Sequence, residues 1–251
     1  MKTDLKDVTF FILIRLDSIQ RLENIIAVTN YLCRFFETNL VVWEASSYNN
    51  GILKSLLNRN VIYKFIEDKD PVLHKTKYYN QILLETETPF FSIWDADAIS
   101  DKKHIEEAVT LLRSEEADVV YPYKGVFLET ESIIRELFLK KNSISVLNRN
   151  QNKMNSLYER ILYGGALIIN TEKFKHVGMD NEIFYGWGDE DFERYYRFRI
   201  LNLKINRINN YLFHLSHPRG MNSKYRSSIC EYLSIGAFLK TQNSSSKELI
   251  K

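Results

Sequence analysis

The chain has 251 residues, 45% of them apolar, with fifteen Phe and fifteen Tyr, which is enough to bury a sizeable core and excludes a disordered chain. Its 34 Lys and Arg nearly balance 32 Asp and Glu, so no global charge marks it as a nucleic-acid binder, and anion binding must come from local placement. The two cysteines, Cys33 and Cys230, sit far apart in helix-like contexts and support neither a disulfide framework nor a metal knuckle.

Val8 to Ile14 reads as a buried strand, and Ser18 as the N-cap of a helix reaching Phe36 with apolar residues at helical spacing. A second strand (Asn39 to Ala45), a short helix (Ile52 to Leu57) and a third strand (Asn60 to Glu67) follow. Leu73 to Glu87 is an amphipathic helix; Pro89 breaks the chain before a fourth apolar strand, "FFSIW", that ends in "DADA". This alternation predicts an α/β fold with a mainly parallel sheet and helices on both faces, and ligands collect at the carboxyl ends of such strands. Beyond residue 125 the alternation loosens. Lys140 to Arg160 is polar and Asn-rich and reads as a surface excursion. "ILYGGALIIN" returns to strand character, Asp189 to Ile200 is a helix, "KINRI" and "YLFHL" are short strands, and Ser227 to Leu239 is a last helix. The absence of a Gly/Ser linker predicts one domain over 1–241, with 242–251 as a frayed polar tail. The N-terminal apolar run is too short to span a membrane and carries no cleavage-site pattern, so the expected location is cytoplasmic, with peripheral association at the inner face of the membrane left open.

Three Asp-x-Asp triplets occur. Asp68 and Asp70 precede Pro71 in a charged turn and read as solvated loop residues. Asp95 and Asp97 instead end a hydrophobic strand at the ligand-binding edge, where carboxylates are costly unless a cation or hydrogen bonds compensate. Hard oxygen ligands there suit Mg²⁺ or Mn²⁺ bridging to a diphosphate; Asx caps in a strand-end turn are the alternative. Asp189, Glu190 and Asp191 open a helix whose later arginines complement its dipole, a purely structural role. The preceding "GWG" is not explained by capping. Clustered carboxylates raise one another's pKa, and one can then accept a proton from a hydroxyl. Gly164 and Gly165 interrupt a strand pattern, as at a bulge or a closely approached ligand. His214 and His217 end an apolar strand, which would send them to opposite faces, so a shared metal is not expected.

Taken in order, Arg15, "DAD", "YGG", "GWGDED" and "HPR" resemble the GT-A-fold glycosyltransferases, especially the β-1,4-galactosyltransferase and related bacterial group, over roughly Val8 to Arg226. The resemblance implies a single nucleotide-binding, Rossmann-like domain. It would place Arg15, Asp17, Lys75 and Asn80 at the UDP moiety, Asp97 and His217 on the metal, and Asp95 near ribose, diphosphate and metal. Gly164 and Gly165 would lie against the donor sugar. Trp187 would be a mobile lid touching donor and acceptor, Glu190 an acceptor-binding acid, and Asp191 the catalytic base. Asp189 replaces a glycine of the family pattern, which implies a narrower, more acidic acceptor pocket. The implied activity is metal-dependent, inverting transfer from a UDP-sugar to a glycan or lipid-linked saccharide hydroxyl, as in bacterial surface polysaccharide synthesis. A nucleotidyltransferase or a non-catalytic carbohydrate-binding protein are the competing readings of the same acids.

Overall fold

A computed structural model of the chain describes residues 1–186, 188–220 and 224–249. The element order is β1 (Thr3–Ile14), α1 (Ile19–Phe35), β2 (Phe36–Ser46), α2 (Ile52–Leu56), β3 (Val61–Glu67), α3 (Lys75–Glu85), β4 (Phe90–Trp94), β5 (Ala98–Ile99), α4 (Lys102–Arg113), β6 (Val119–Tyr121) and β7 (Phe127–Glu129). It continues through α5 (Ser132–Lys141), α6 (Ile144–Arg149), β8 (Asn155–Ser156), β9 (Ala166–Asn170), α7 (Thr171–His176), α8 (Glu190–Ile200), β10 (Ile205–Arg207), β11 (Leu212–His214), α9 (Ser228–Asn243) and α10 (Ser246–Leu249). As expected, the Ser18 hydroxyl caps α1, accepting from the Arg21 amide at 3.3 Å.

The main sheet has the order β10-β6-β9-β4-β1-β2-β3. Six strands share one direction and β9 opposes its neighbours β4 and β6, which gives the mainly parallel α/β sheet anticipated from the alternation. From β1 the chain builds outward to β2 and β3 on one side and to β4 on the other. The crevice between the carboxyl ends of β1 and β4 is therefore a topological switch point, where ligands bind in open sheets of this kind. Phe10, Phe11, Phe91 and Trp94 fill the core beneath it, with Phe10 edge-on to Trp94 at 5.5 Å and Phe11 edge-on to Trp43 at 5.3 Å.

A second sheet, β5-β11-β7-β8, has strands of two or three residues. Its register sets His214 of β11 opposite both Ala98 of β5 and Glu129 of β7, and the Leu215 amide bonds the Asp97 carbonyl at 2.8 Å. This small sheet delivers side chains to the cleft beside the main one.

Two sequence expectations change. The Lys140–Arg160 segment is not wholly a surface excursion: Val146, Leu147 and Met154 are buried in the core, and Asn155 and Ser156 pair with β7. A few apolar residues among many polar ones suffice to anchor it, because each turns one face inward while Lys and Asn remain outside. The C-terminal helix also runs past Leu239 to Asn243, where buried Thr241 donates to Glu193 at 3.0 Å, and Ser246–Leu249 forms a further short helix where a frayed tail was expected. Both cysteines are free, as expected. Among the described residues no helix is long and apolar enough to cross a membrane.

Candidate active site

The cleft opens at the switch point. Arg15 lies one residue past β1 and Asp95 one residue past β4, so two adjacent parallel strands deliver a cation and an anion to the same mouth. Arg15 is braced by the Ala45 carbonyl at 2.9 Å, the Asp70 carbonyl at 2.6 Å and the Asp68 carboxylate at 2.6 Å. Asp68 is thus a largely buried partner of Arg15 and Tyr78, not the solvated loop residue its turn suggested. Asp17 pairs with Arg21 at 3.0 Å and lines a hollow continuous with the cleft through Arg15 and Arg219.

Asp97, His214 and His217 converge. His217 Nε2 lies 3.0 Å from Asp97 Oδ2 and His214 Nε2 lies 3.6 Å from Asp97 Oδ1; one ligand atom from each residue can be chosen with all three within 4.8 Å of one another. The expectation that the histidines diverge fails for a local reason. The strand ends at His214, and the irregular chain through Leu215 and Ser216 carries His217 back to the same side, so the two-residue strand period no longer applies. The outer nitrogens differ: His217 Nδ1 lies 2.8 Å from the Pro218 carbonyl, whereas Glu129 stands 3.5 Å from His214 Nδ1 as a charged neighbour and that buried nitrogen has no hydrogen-bond partner among the described residues. A carbonyl acceptor behind His217, a carboxylate near the back of His214, and both Nε2 atoms turned toward Asp97 suit metal-ligating histidines. The donor set therefore fits a divalent cation. Asp95 sits two residues away and is half-buried.

The electrostatics agree. Burial pushes Asp97 up, but His214 and His217 outweigh it and hold the carboxyl far below the usual range. Burial pushes His214 down, but Asp97 and Glu129 reverse that and raise it. Asp95 is raised by desolvation, against the counter-pull of Lys75 and with help from Asp97. Lys75, which heads α3, is pushed down by desolvation but raised on balance by Asp95, Glu190 and Asp191. A cationic side chain and several acids thus share one recess.

The second wall comes from α8. Glu190 is buried, its pKa is pushed up to about 8 by burial and then by Asp191, and its Oε2 has no hydrogen-bond partner among the described residues. Asp191 accepts from Arg194 at 2.6 Å through Oδ1. Its Oδ2 lies over Gly164, so close that a Cβ on that glycine would stand 2.2 Å away. Gly165, at φ +77°, would place a Cβ 2.2 Å from the Phe127 ring, and its carbonyl accepts from the Asp95 amide at 2.8 Å. Two glycines are needed here because Asp191 and Phe127 occupy the space side chains would take.

Most residues singled out in the sequence line this one cleft: Arg15, Lys75, Asp95, Asp97, Gly164, Gly165, Glu190, Asp191 and His217. Asn80 does not. Its amide donates to the Asp180 carbonyl and to Glu182, both at 2.9 Å, and its carbonyl accepts from the Asp180 amide at 2.8 Å, so it pins a loop behind the cleft. The reason is its place on α3, five residues and more than a full turn beyond Lys75. Trp187 lies outside the described residues. Sequence reasoning missed Glu129, whose signal was an acid closing a short apolar strand, and expected one of the two histidines beside Asp97, His217 in preference to His214, rather than both.

The seven-stranded α/β sheet and the cleft at its switch point are consistent with a GT-A-like glycosyltransferase domain. A family model described as the N-terminal domain of galactosyltransferase matches residues 145–218, the stretch that carries the glycine pair, the α8 acids and both histidines. That match supports glycosyltransferase activity. A search of curated proteins returned no match.

Proposed function

We propose that this chain is a metal-dependent, inverting glycosyltransferase that moves a sugar from a UDP-sugar to the hydroxyl of a glycan or lipid-linked saccharide. The observation that carries the reading is the convergence of Asp97, His214 and His217 with the α8 acids in one cleft. Asp97, His214 and His217, with Asp95 beside them, would hold the cation, and two imidazole nitrogens beside carboxylate oxygen favour Mn²⁺ over Mg²⁺, which prefers oxygen ligands. A bound cation would supply charge neutralisation for the departing diphosphate. Arg15, Asp17 and Lys75 would seat the nucleotide, and Gly164 and Gly165 would let the donor sugar approach the backbone.

Asp191 Oδ2 would take the proton of the attacking hydroxyl as its oxygen bonds to the anomeric carbon and the bond from that carbon to UDP breaks. One in-line displacement inverts the centre. Glu190, kept protonated near neutral pH by its burial, would donate a hydrogen bond to the acceptor. Trp187 would close over donor and acceptor. A cytoplasmic bacterial enzyme of surface polysaccharide synthesis, working at the inner face of the membrane, is the setting this reading implies. Asp191→Asn tests it: the variant should bind UDP with Mn²⁺ as the parent does while transfer to a saccharide panel drops at least roughly 10²-fold. Undiminished transfer would remove Asp191 from the base role, and retention of configuration in the product would remove the single displacement.

A further inference from the structure

Arg194 is fully buried, an expensive place for a permanent cation. Its Nε and one terminal nitrogen hold Asp180 in a bidentate pair at 2.6 and 2.9 Å. That pair alone would compensate the charge and staple α8 to the 180 loop, which Asn80 fixes from behind. Yet the remaining terminal nitrogen reaches Asp191 at 2.6 Å, a residue whose side chain is 30% exposed in the cleft and has water to satisfy it. Spacing three apart on α8 puts both side chains on one face of the helix.

We propose that Arg194 is a positioning residue for transfer: anchored by Asp180, it holds Asp191 by Oδ1 so that Oδ2, over Gly164, is the oxygen presented to the incoming hydroxyl. The inference rests on Asp191 being the base. A guanidinium can span two carboxylates in fixed geometry, whereas an ammonium is a single point on a flexible stem, so lysine keeps the charge and loses the clamp.

The test compares the full-length parent chain with Arg194→Lys, Asp180→Asn and Asp191→Asn, measuring UDP release from UDP-glucose, UDP-galactose and their N-acetyl forms with Mn²⁺, alongside UDP–Mn²⁺ affinity as the check on folding. Arg194→Lys should lower kcat about 10²-fold, the cost of misplacing a reacting group by about 1 Å, with donor KM within about twofold. A folded Arg194→Lys chain with parental kcat overturns the clamp. If that variant does not fold, the near-isosteric Asp180→Asn is read the same way: kcat falls with KM held, or the clamp is wrong. Asp191→Asn separates the two claims. Parental turnover there removes the base reading and the clamp with it, whereas a dead Asp191→Asn beside an active Arg194→Lys removes the clamp alone.

Discussion

Gly164→Ala is the smallest change that reaches the proposed base. Gly164 lies outside the left-handed region, so alanine meets no backbone penalty there and the effect must come from the new methyl group. That methyl would stand 2.2 Å from Asp191 Oδ2 and 2.9 Å from its Cγ, where ordinary contact begins at 3.4 Å. The carboxylate must therefore recede by about 1 Å, and the Arg194 bond at 2.6 Å resists the movement. A displacement of that size at a reacting group costs about 10²-fold in rate, and the overpacking itself costs about 1–3 kcal/mol of stability. UDP release with Mn²⁺, measured beside thermal unfolding, should show kcat reduced about 10²-fold, donor KM raised because the methyl also intrudes on the proposed sugar seat, and Tm lowered by a few degrees, roughly 2–4 °C per kcal/mol. A folded Gly164→Ala chain with parental kcat would refute the reasoning, because Asp191 would then not need the position it holds.

Glu129→Gln leaves the cluster of Asp97, His214 and His217 intact and removes only the negative charge 3.5 Å behind His214 Nδ1, so Mn²⁺ affinity by spin-resonance titration should fall roughly 10-fold; parental affinity would exclude Glu129 from the site. Glu190 gives a pH signature. Its pKa of about 8 in the folded chain exceeds its ordinary 4.5, so its contribution to stability is fully present below 4.5 and is lost as pH rises through about 8. In calorimetry with EDTA, Glu190→Gln should therefore gain Tm on the parent between pH 5 and pH 8.5, by at least roughly 3 °C. A difference that does not change with pH contradicts the burial argument.

The sheet was legible because its strands are continuous apolar runs and its helices carry a 3.6-residue period; neither depends on distant contacts. The placement of Asp95 and Asp97 at the cleft was legible for the same reason, since an apolar strand that ends in acids carries them to the carboxyl edge of the sheet. The divergence of the two histidines was misjudged because a period valid inside a strand was carried past its end, and only the return through Leu215 and Ser216 brings His217 back beside His214 and Asp97. Arg194 was read only as one of the arginines that complement the α8 dipole; its burial depends on Asp180, held in turn by Asn80 a hundred residues earlier. Asn80 was misplaced by analogy for the converse reason, a sequence spacing that matches a motif while the helix turns the side chain elsewhere. The β5-β11-β7-β8 sheet, with its two- and three-residue strands, offers no period at all, and it carries Glu129 and His214.

Calorimetric titration of UDP, with and without Mn²⁺, into the parent chain and Asp97→Asn addresses the cleft directly and needs no knowledge of donor sugar or acceptor. Tight UDP binding that appears only with Mn²⁺ and disappears in a folded Asp97→Asn chain is the result expected from a cation seat joined to a nucleotide site. UDP binding that is equal in EDTA, or equal in Asp97→Asn, or absent throughout, would contradict it.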